Sequence, residues 1–223
     1  QPGRRDGIEA FRVSVRDAAD TEIFSTGRTA GFQERYRWNG RSDTGAVAPD
    51  GEYRLEAELW YNHGNRPVST SDPVTVDTVF PSVQVEIADA VFSPDGDGNK
   101  DTIEVVQDSS REEVWQARFQ RGDVSRTFTF RGSAETFTWD GTDEAGNVVP
   151  DGEYTYIVSA QDAAGNRVER RVPGIRVDTR EVSMTLSVSD STLSPNGDGV
   201  KDSVEIRPQS NLEEGIAEWT LTL

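Results

Sequence analysis

A nine-residue string occurs twice in this chain almost unchanged. SPDGDGNKD at 93–101 and SPNGDGVKD at 194–202 differ at two positions and stand 101 residues apart. The same shift superposes APDGEYRL from Ala48 on VPDGEYTY from Val149, Trp38 on Trp139, and Val76-Asp77-Thr78 on Val177-Asp178-Thr179. A unit of about a hundred residues is longer than a solenoid repeat and has the size of a whole small domain with its own core. A feature present in each copy belongs to the architecture of the repeat more readily than to a unique active centre. The chain therefore reads as a stretch of a tandem array.

Between these landmarks, apolar and polar residues alternate. FRVSV (11–15), SVQVEI (82–87), TIEVV (102–106), RTFTF (126–130), TFTW (136–139) and YTYIVSA (154–160) carry the period of two that sorts side chains onto two faces of a strand. Clusters of Gly, Asp, Asn and Pro separate these runs, as turns require. No segment sustains an apolar period of 3.6 for three turns, so no helix is expected. The central copy divides into seven expected strands, roughly 83–87, 101–107, 114–120, 126–131, 135–139, 153–161 and 167–177. That count suits a β-sandwich, two sheets sharing one core. The expected fold class is all-β, a tandem of such sandwich domains.

The copies differ in completeness. GIEAFRVSV from Gly7 matches GIAEWTLTL from Gly215, with Ile8 on Ile216, Phe11 on Trp219 and Val15 on Leu223. Residues 1–77 then form a repeat without its first strands or acidic string, 78–179 a complete repeat, and 180–223 the first strands of a third. Two explanations fit: a segment of a longer array, or C-terminal strands that complete the N-terminal domain of another chain by donor-strand assembly. In both, unpaired edges seek partners, either neighbouring repeats of the array or another chain end to end.

Charge and composition narrow the function. The 40 acidic and 23 basic residues leave a net charge of −17, which repels nucleic acid and anionic membrane surfaces. No apolar run approaches the length of a membrane span, and Gln1 does not open an export signal, as expected of a mature chain or a piece of a precursor. The absence of cysteine removes disulfides and thiolate chemistry. With a single histidine, His63, the chain also lacks the parts for His-dependent triads and zinc-hydrolase motifs. A two-carboxylate glycosidase stays compatible with so many acids, but a small sandwich offers no deep cleft.

The repeated string has the chemistry of a calcium loop. Asp95, Asp97, Asn99 and Asp101 put side-chain oxygens on alternate positions, and Gly96 and Gly98 let the backbone curl so that they converge. Calcium takes six to eight hard oxygen ligands, which such a loop supplies together with carbonyls and water. An EF-hand is excluded, because its sixth position would be Lys100 and its twelfth Val106. Glu104 is a candidate further ligand. In the second copy the corresponding set is Asn196, Asp198, Val200 through its carbonyl, Asp202 and Glu205. With one carboxylate fewer, this second loop is expected to be the weaker site. A solvated Asp-Gly turn capped by its own side chains is the alternative reading. If successive strands reverse direction, the loop lies at the pole where the last strand ends. That arrangement would bring Asp178, and Asp89 or Asp151, close enough to complete or buttress the cluster.

The second signature is WDGTDEAGNVVPDGEYTYIVSAQDAAGN from Trp139, with WNGRSDTGAVAPDGEYRLEAELWYNHGN from Trp38 as its counterpart. It resembles the immunoglobulin-like domain of bacterial flagellar hook-capping proteins, the FlgD Ig-like family. In that family a Trp-Asp-Gly turn, a Gly and a Pro-x-Gly-x-Tyr strand start follow at this spacing. The resemblance covers about fifty residues of each copy and implies an immunoglobulin-like fold. It also implies a setting at the bacterial cell envelope, either surface or periplasm, or outside the cell. Hook capping itself is not implied, because fold is not function.

Within the signature, Trp38 and Trp139 have the bulk to cap a sandwich. Tyr154 is expected to bury its ring and send its hydroxyl to a loop carbonyl. Asp43, Asp140 and Asp143 read as turn residues, His63 as another, and Arg121-Gly122-Asp123 as a hairpin tip that also spells an integrin tripeptide. The resulting expectation is a non-enzymatic, calcium-stabilised immunoglobulin-like spacer or scaffold of a bacterial surface or secreted protein. A glycan- or protein-binding adhesion module is the alternative if aromatics such as Trp60 group on an exposed face. An accessory stalk of an enzyme with its catalytic domain elsewhere is the other.

Overall fold

The computed structural model describes residues 7–212, 214–216 and 218–222; Leu223, aligned above with Val15, lies outside them. The first repeat contributes β1 (Ile8–Asp17), β2 (Glu22–Ser25), β3 (Thr29–Ala30), β4 (Gly51–Tyr61), β5 (Val68–Thr70) and β6 (Val74–Val76). All six join one sheet built on the long antiparallel β1–β4 pair.

The central repeat follows with β7 (Val83–Glu86), β8 (Val91–Phe92), β9 (Ile103–Ser109), β10 (Glu112–Arg121), β11 (Val124–Gly132), β12 (Phe137–Trp139), β13 (Gly152–Gln161) and β14 (Arg167–Val177). They form two sheets, ordered β11-β10-β13-β14-β8 and β12-β9-β7. Alternation becomes burial here. Ile103, Val105 and Gln107 of β9 face in while Glu104, Val106 and Asp108 face out, and β10 turns Trp115, Ala117 and Phe119 inward. The two sheets close over Trp115, Phe119, Trp139, Tyr154, Tyr156 and Ile175, each almost wholly buried. At the centre the Phe119 and Trp139 rings stack with centroids 3.9 Å apart and planes inclined by 14°. Gln107, a polar residue in the core, is satisfied on both sides. Its Nε2 donates to the Glu135 carbonyl at 2.7 Å and its Oε1 accepts from the Tyr156 hydroxyl. Burial pushes the Tyr156 phenol well above its ordinary pKa, so it remains a donor.

The seven strands expected from alternation are all present. The addition is β8, a two-residue strand too short to show periodicity, which pairs in parallel with the end of β14 (Val91 with Arg176, Phe92 with Val177). Beyond the central repeat, β15 (Met184–Val188) and β16 (Ile206–Ser210) form a hairpin in the register of β7 and β9.

Among the described residues, the first repeat forms one sheet with a smaller buried cluster. Its buried cluster holds Val15, Ala48 and Tyr53, with Trp38 only partly covered. Tyr36-Arg37-Trp38 correspond to β12, yet they are not a strand, because among the described residues no equivalent of β9 lies beside them. The local chemistry of the signature survives regardless. The Trp38 indole donates to the Arg41 carbonyl (2.8 Å) as Trp139 does to that of Thr142 (2.9 Å). The Tyr53 hydroxyl reaches the Pro49 carbonyl (2.7 Å) as Tyr154 does that of Pro150 (2.8 Å).

Equal chemistry with unequal cover gives a direct test. Trp139→Ala empties a closed core and is expected to cost about 3–5 kcal/mol, whereas Trp38→Ala should cost about 1–2 kcal/mol, in proportion to its partial burial. Urea unfolding of both variants, followed by near-ultraviolet circular dichroism, measures the difference; equal losses would contradict the half-open first repeat.

Candidate functional site

Both acidic loops adopt the same backbone. Gly96, Gly98 and Lys100 have φ of +83°, +89° and +56°, and Gly197, Gly199 and Lys201 have +80°, +83° and +58°. Alternating left-handed residues curl the chain into a concavity lined with amides. The Asp101 carboxylate fills it, accepting from Gly96 N (2.8 Å) and Gly98 N (2.9 Å); Asp202 does the same with Gly197 N and Gly199 N, both at 2.8 Å. Asp95 Oδ1 accepts from Asp97 N, and Asp97 Oδ1 from Asn99 N; Asn196 and Asp198 repeat the pattern. Carboxylate oxygens of Asp95, Asp97 and Asp101 come within 4.8 Å of one another. All the donors are hard oxygens, the set a calcium ion takes, and three converging carboxylates carry the charge to hold one.

The other candidate ligands have their own settings. Glu104 points outward from β9 opposite Thr138, and Glu205 pairs with Arg207 at 2.6 Å. Val200 N donates to Asp198 Oδ1 at 2.8 Å, its side chain exposed. Lys100 extends toward Asp89 (3.7 Å), as Lys201 does toward Asp190 (3.4 Å), so neither ammonium is drawn to its loop's own carboxylates. The Asp178 amide donates to the Phe92 carbonyl at 3.1 Å, beside the base of the loop. Its carboxylate is held by Arg180 at 2.7 Å and Arg176 at 3.2 Å, and chiefly the Arg180 hydrogen bond lowers its pKa to about 2.

One pole of the central sandwich gathers these pieces. The loop rests on Gly141, whose φ is +69° and where an added Cβ would lie 2.5 Å from Pro94 Cγ. Arg121 donates to the Asp151 carbonyl at 2.6 Å and lies over the Tyr154 ring, so the arginine of the Arg-Gly-Asp string is engaged by its own domain. Turn roles are filled as expected. Asp140 Oδ1 accepts from the Thr142 amide and hydroxyl, and Asp143 Oδ1 from the amides of Asn147 and Ala145, which lower its pKa. His63 lies in its turn between Asn62 and Asn65, but Asp43 departs from the turn role: its Oδ1 accepts from Ser25 N, at the end of β2, and so ties its loop to that strand.

A further repeated device grips the linkers. Asp50 Oδ1 accepts from both the amide and the hydroxyl of Thr78 (2.9 Å each), and Asp151 Oδ1 from those of Thr179 (3.0 and 2.9 Å). From the following repeat, Asn166 Nδ2 reaches the carbonyls of Asp77 (3.2 Å) and Val79 (3.3 Å). Sequence reasoning passed over Asp50 and Asn166 and weighed Asp151 only beside the metal loop. The signal was present, since Pro-Asp-Gly and Val-Asp-Thr recur together under one shift.

Fold and loops together define a class: tandem immunoglobulin-like β-sandwich repeats, of which the central one carries an acidic loop seated on its core. Residues 95–164, from that loop to the β13–β14 turn, match the FlgD Ig-like domain family. No relative is found among curated protein sequences. By structure the chain is similar to a tetra-tandem repeat from the extending region of a large adhesion protein, at 18% identity over 92% of this chain and 50% of that one (TM-score 0.36). It is also similar to a 1.5-MDa bacterial ice-binding adhesin, at 12% identity over 82% and 58% (TM-score 0.38). A third similarity is to the fibronectin(III)-like modules of Clostridium thermocellum CbhA, at 18% identity over 79% and 80% (TM-score 0.37). The chain thus spans about half the length of the two adhesin structures. Among the described residues no helix is long and apolar enough to cross a membrane.

The seat of the loop is testable by one methyl group. Gly40, the counterpart of Gly141, has nothing within 4 Å of an added Cβ, though its φ is +74°. Gly40→Ala should cost about 1 kcal/mol of backbone strain, and Gly141→Ala about 1–3 kcal/mol more for the clash with Pro94. Thermal unfolding of the two variants compares them, and equal shifts would show that the loop is not anchored there.

Proposed function

We infer that this chain is a non-enzymatic spacer of a bacterial surface or secreted protein, with linkers stiffened by built-in clamps and loops stabilised by calcium. Its partners are the neighbouring repeats of its array, continued end to end. The carrying observation is the linker geometry: in both copies an aspartate from the preceding Pro-Asp-Gly turn holds the linker threonine, and Asn166 holds the first linker from the other side. A chain whose domains served only as independent binding units would have no use for fixed junctions. The aromatic residues also favour the spacer over the glycan-binding reading. Those of the central repeat other than Phe80 at its entry lie in or against its core, and Trp60 is flanked by the guanidinium groups of Arg28 and Arg66, 5.0 and 5.1 Å from its ring centre. The extracellular or envelope setting follows the family resemblance.

Calcium would bind through Asp95, Asp97, Asn99 and Asp101 in the central copy and through Asn196, Asp198, the Val200 carbonyl and Asp202 in the next, with Glu104, Glu205 and Asp178 as outer supports. Bare carboxylates at this spacing repel one another, and a divalent ion removes that repulsion. At about 1 mM calcium a site of about 0.1 mM affinity stabilises the fold by roughly 1.4 kcal/mol. Titration calorimetry of Asp97→Ala and Asp198→Ala variants, each leaving the other loop intact, should show the 95–101 loop binding more tightly. A tighter 196–202 loop, or no heat from either, would remove calcium from the reading.

The clamps have their own test. Asp50→Ala combined with Asn166→Ala should leave each domain folded but broaden the range of interdomain angles in small-angle scattering. An unchanged scattering envelope would sink the stiff-spacer reading whatever the loops bind.

A further inference from the structure

The outer face of the larger central sheet differs in charge from the same face of the first repeat. Trp115, Ala117 and Phe119 of β10 point into the core, as do Tyr154, Tyr156 and Val158 of β13, so Arg118, Ile157 and Ser159 point out. Register sets Arg118 and Arg171 on either side of Ile157, and Glu169 opposite Ser159. The 101-residue shift puts Glu56 and Glu58 of β4 at the positions of Ile157 and Ser159, and Arg66 at that of Arg167. In the first repeat, glutamates neutralise this face. Arg16 lies 3.9 Å from Glu56, Arg66 lies 2.8 Å from Glu58, and Arg12 is held by Glu22 at 2.5 Å. In the central repeat those two acids are gone and the arginines remain. Arg118 Nε donates to Gln120 Oε1 (3.1 Å) and Arg167 Nε to Gln161 Oε1 (2.7 Å), so their partners among the described residues are neutral amides. Glu169, bonded to Arg171 at 2.7 Å, is the one acid in these rows against three arginines.

We propose that this face binds an acidic polysaccharide, with the anionic groups of the sugar on the guanidinium forks of Arg118, Arg167 and Arg171. Arg118 and Arg171 stand two strand spacings apart, about 10 Å. Next to them the face is hollowed into a groove of about 580 Å³ whose lining includes Gln116, Ser159, Gln161 and Arg167. Amide and hydroxyl groups that both donate and accept suit the hydroxyls of a sugar chain. Arginine holds carboxylate or sulfate groups through paired N–H donors, so such a ligand needs no aromatic platform. A protein partner fits less well, because protein interfaces centre on apolar and aromatic anchors. Here Ile157 is 3% exposed, and Val114 at the groove is half-buried. The net charge of −17 does not forbid the contact. Physiological salt screens charges beyond about 8 Å, so a slender chain crossing the face meets its local arginines, whereas a broad anionic surface meets the whole protein. This lateral contact adds to the spacer reading and rests on the central repeat alone, without the calcium loops or the linker clamps.

The test titrates the full chain with alginate oligosaccharides in a calorimeter, at physiological salt and without calcium, so that the acidic loops take no part. Binding should saturate and weaken as salt is raised, and neutral dextran of the same length should give none. Arg167→Gln should weaken binding about fivefold or more. Ser159→Glu, which restores the acid that the first repeat carries as Glu58, should do the same. Arg66→Gln, the matching change in the first repeat, should leave the affinity unchanged. Arg167 is exposed and Ser159 faces outward, so neither substitution enters the core. No binding of alginate would overturn the proposal. So would equal binding of polyglutamate, meaning a general attraction for polyanions, or an affinity unmoved by both Arg167→Gln and Ser159→Glu, meaning that the sugar sits elsewhere. None of these outcomes bears on the stiffness of the linkers, which scattering reports separately.

Discussion

The stack of Trp139 on Phe119 is the contact on which the complete repeat depends. Phe119 belongs to the larger sheet and Trp139 to the smaller, so this pair spans the layer between them. The tryptophan is fixed from its other end by the hydrogen bond from its indole to Thr142. Around the pair, Phe92, Phe137, Tyr154 and Tyr156 meet at edge or tilted angles, the arrangement aromatic quadrupoles favour. In the first repeat, where no facing sheet is found among the described residues, Trp38 keeps its hydrogen bond and its contact with Tyr53 beside a smaller buried cluster. Local turn chemistry is therefore separable from the packing it normally serves.

Much of this was legible in the sequence because the repeat reports every constraint twice. Strands with five or more alternating residues, such as β9, β10 and β13, announce themselves through periodicity, and the Trp-Asp-Gly and Pro-Asp-Gly landmarks locate the turns between them. The burial of Tyr154 with its hydroxyl on the Pro150 carbonyl follows from the need to satisfy a phenol in a core. The β8–β14 pairing was not legible, because two residues carry no period and a parallel contact leaves no turn in the sequence. The acidic loop was read as four alternating oxygens. Its dominant interaction in the structure, amides of Gly96 and Gly98 converging on Asp101, depends on a left-handed Lys100 that composition gives no reason to expect.

The same pole of the central sandwich serves three tasks. It seats the loop on Gly141, anchors Arg121 on the Asp151 carbonyl, and holds the outgoing linker through the Asp151 carboxylate. Charge is distributed accordingly. Asp178, at the exit, is balanced by Arg176 and Arg180, while Asp95, Asp97 and Asp101 bond, among the described residues, to amides and a hydroxyl. In a chain of net charge −17, that contrast separates an acid paired with arginines from acids held by backbone amides.

The short parallel pairing of β8 with β14 has a mechanical consequence. The chain enters the central repeat at one pole before β7 and leaves it at the other after β14, so tension along the array pulls these neighbouring strands in opposite directions along their length. The hydrogen bonds from Arg176 N to the Ala90 carbonyl and from Asp178 N to the Phe92 carbonyl are then loaded in shear and must yield together. A hairpin peeled from its end loses its bonds singly and resists far less. The backbone pairing of two short segments thus sets the force at which the repeat first gives way.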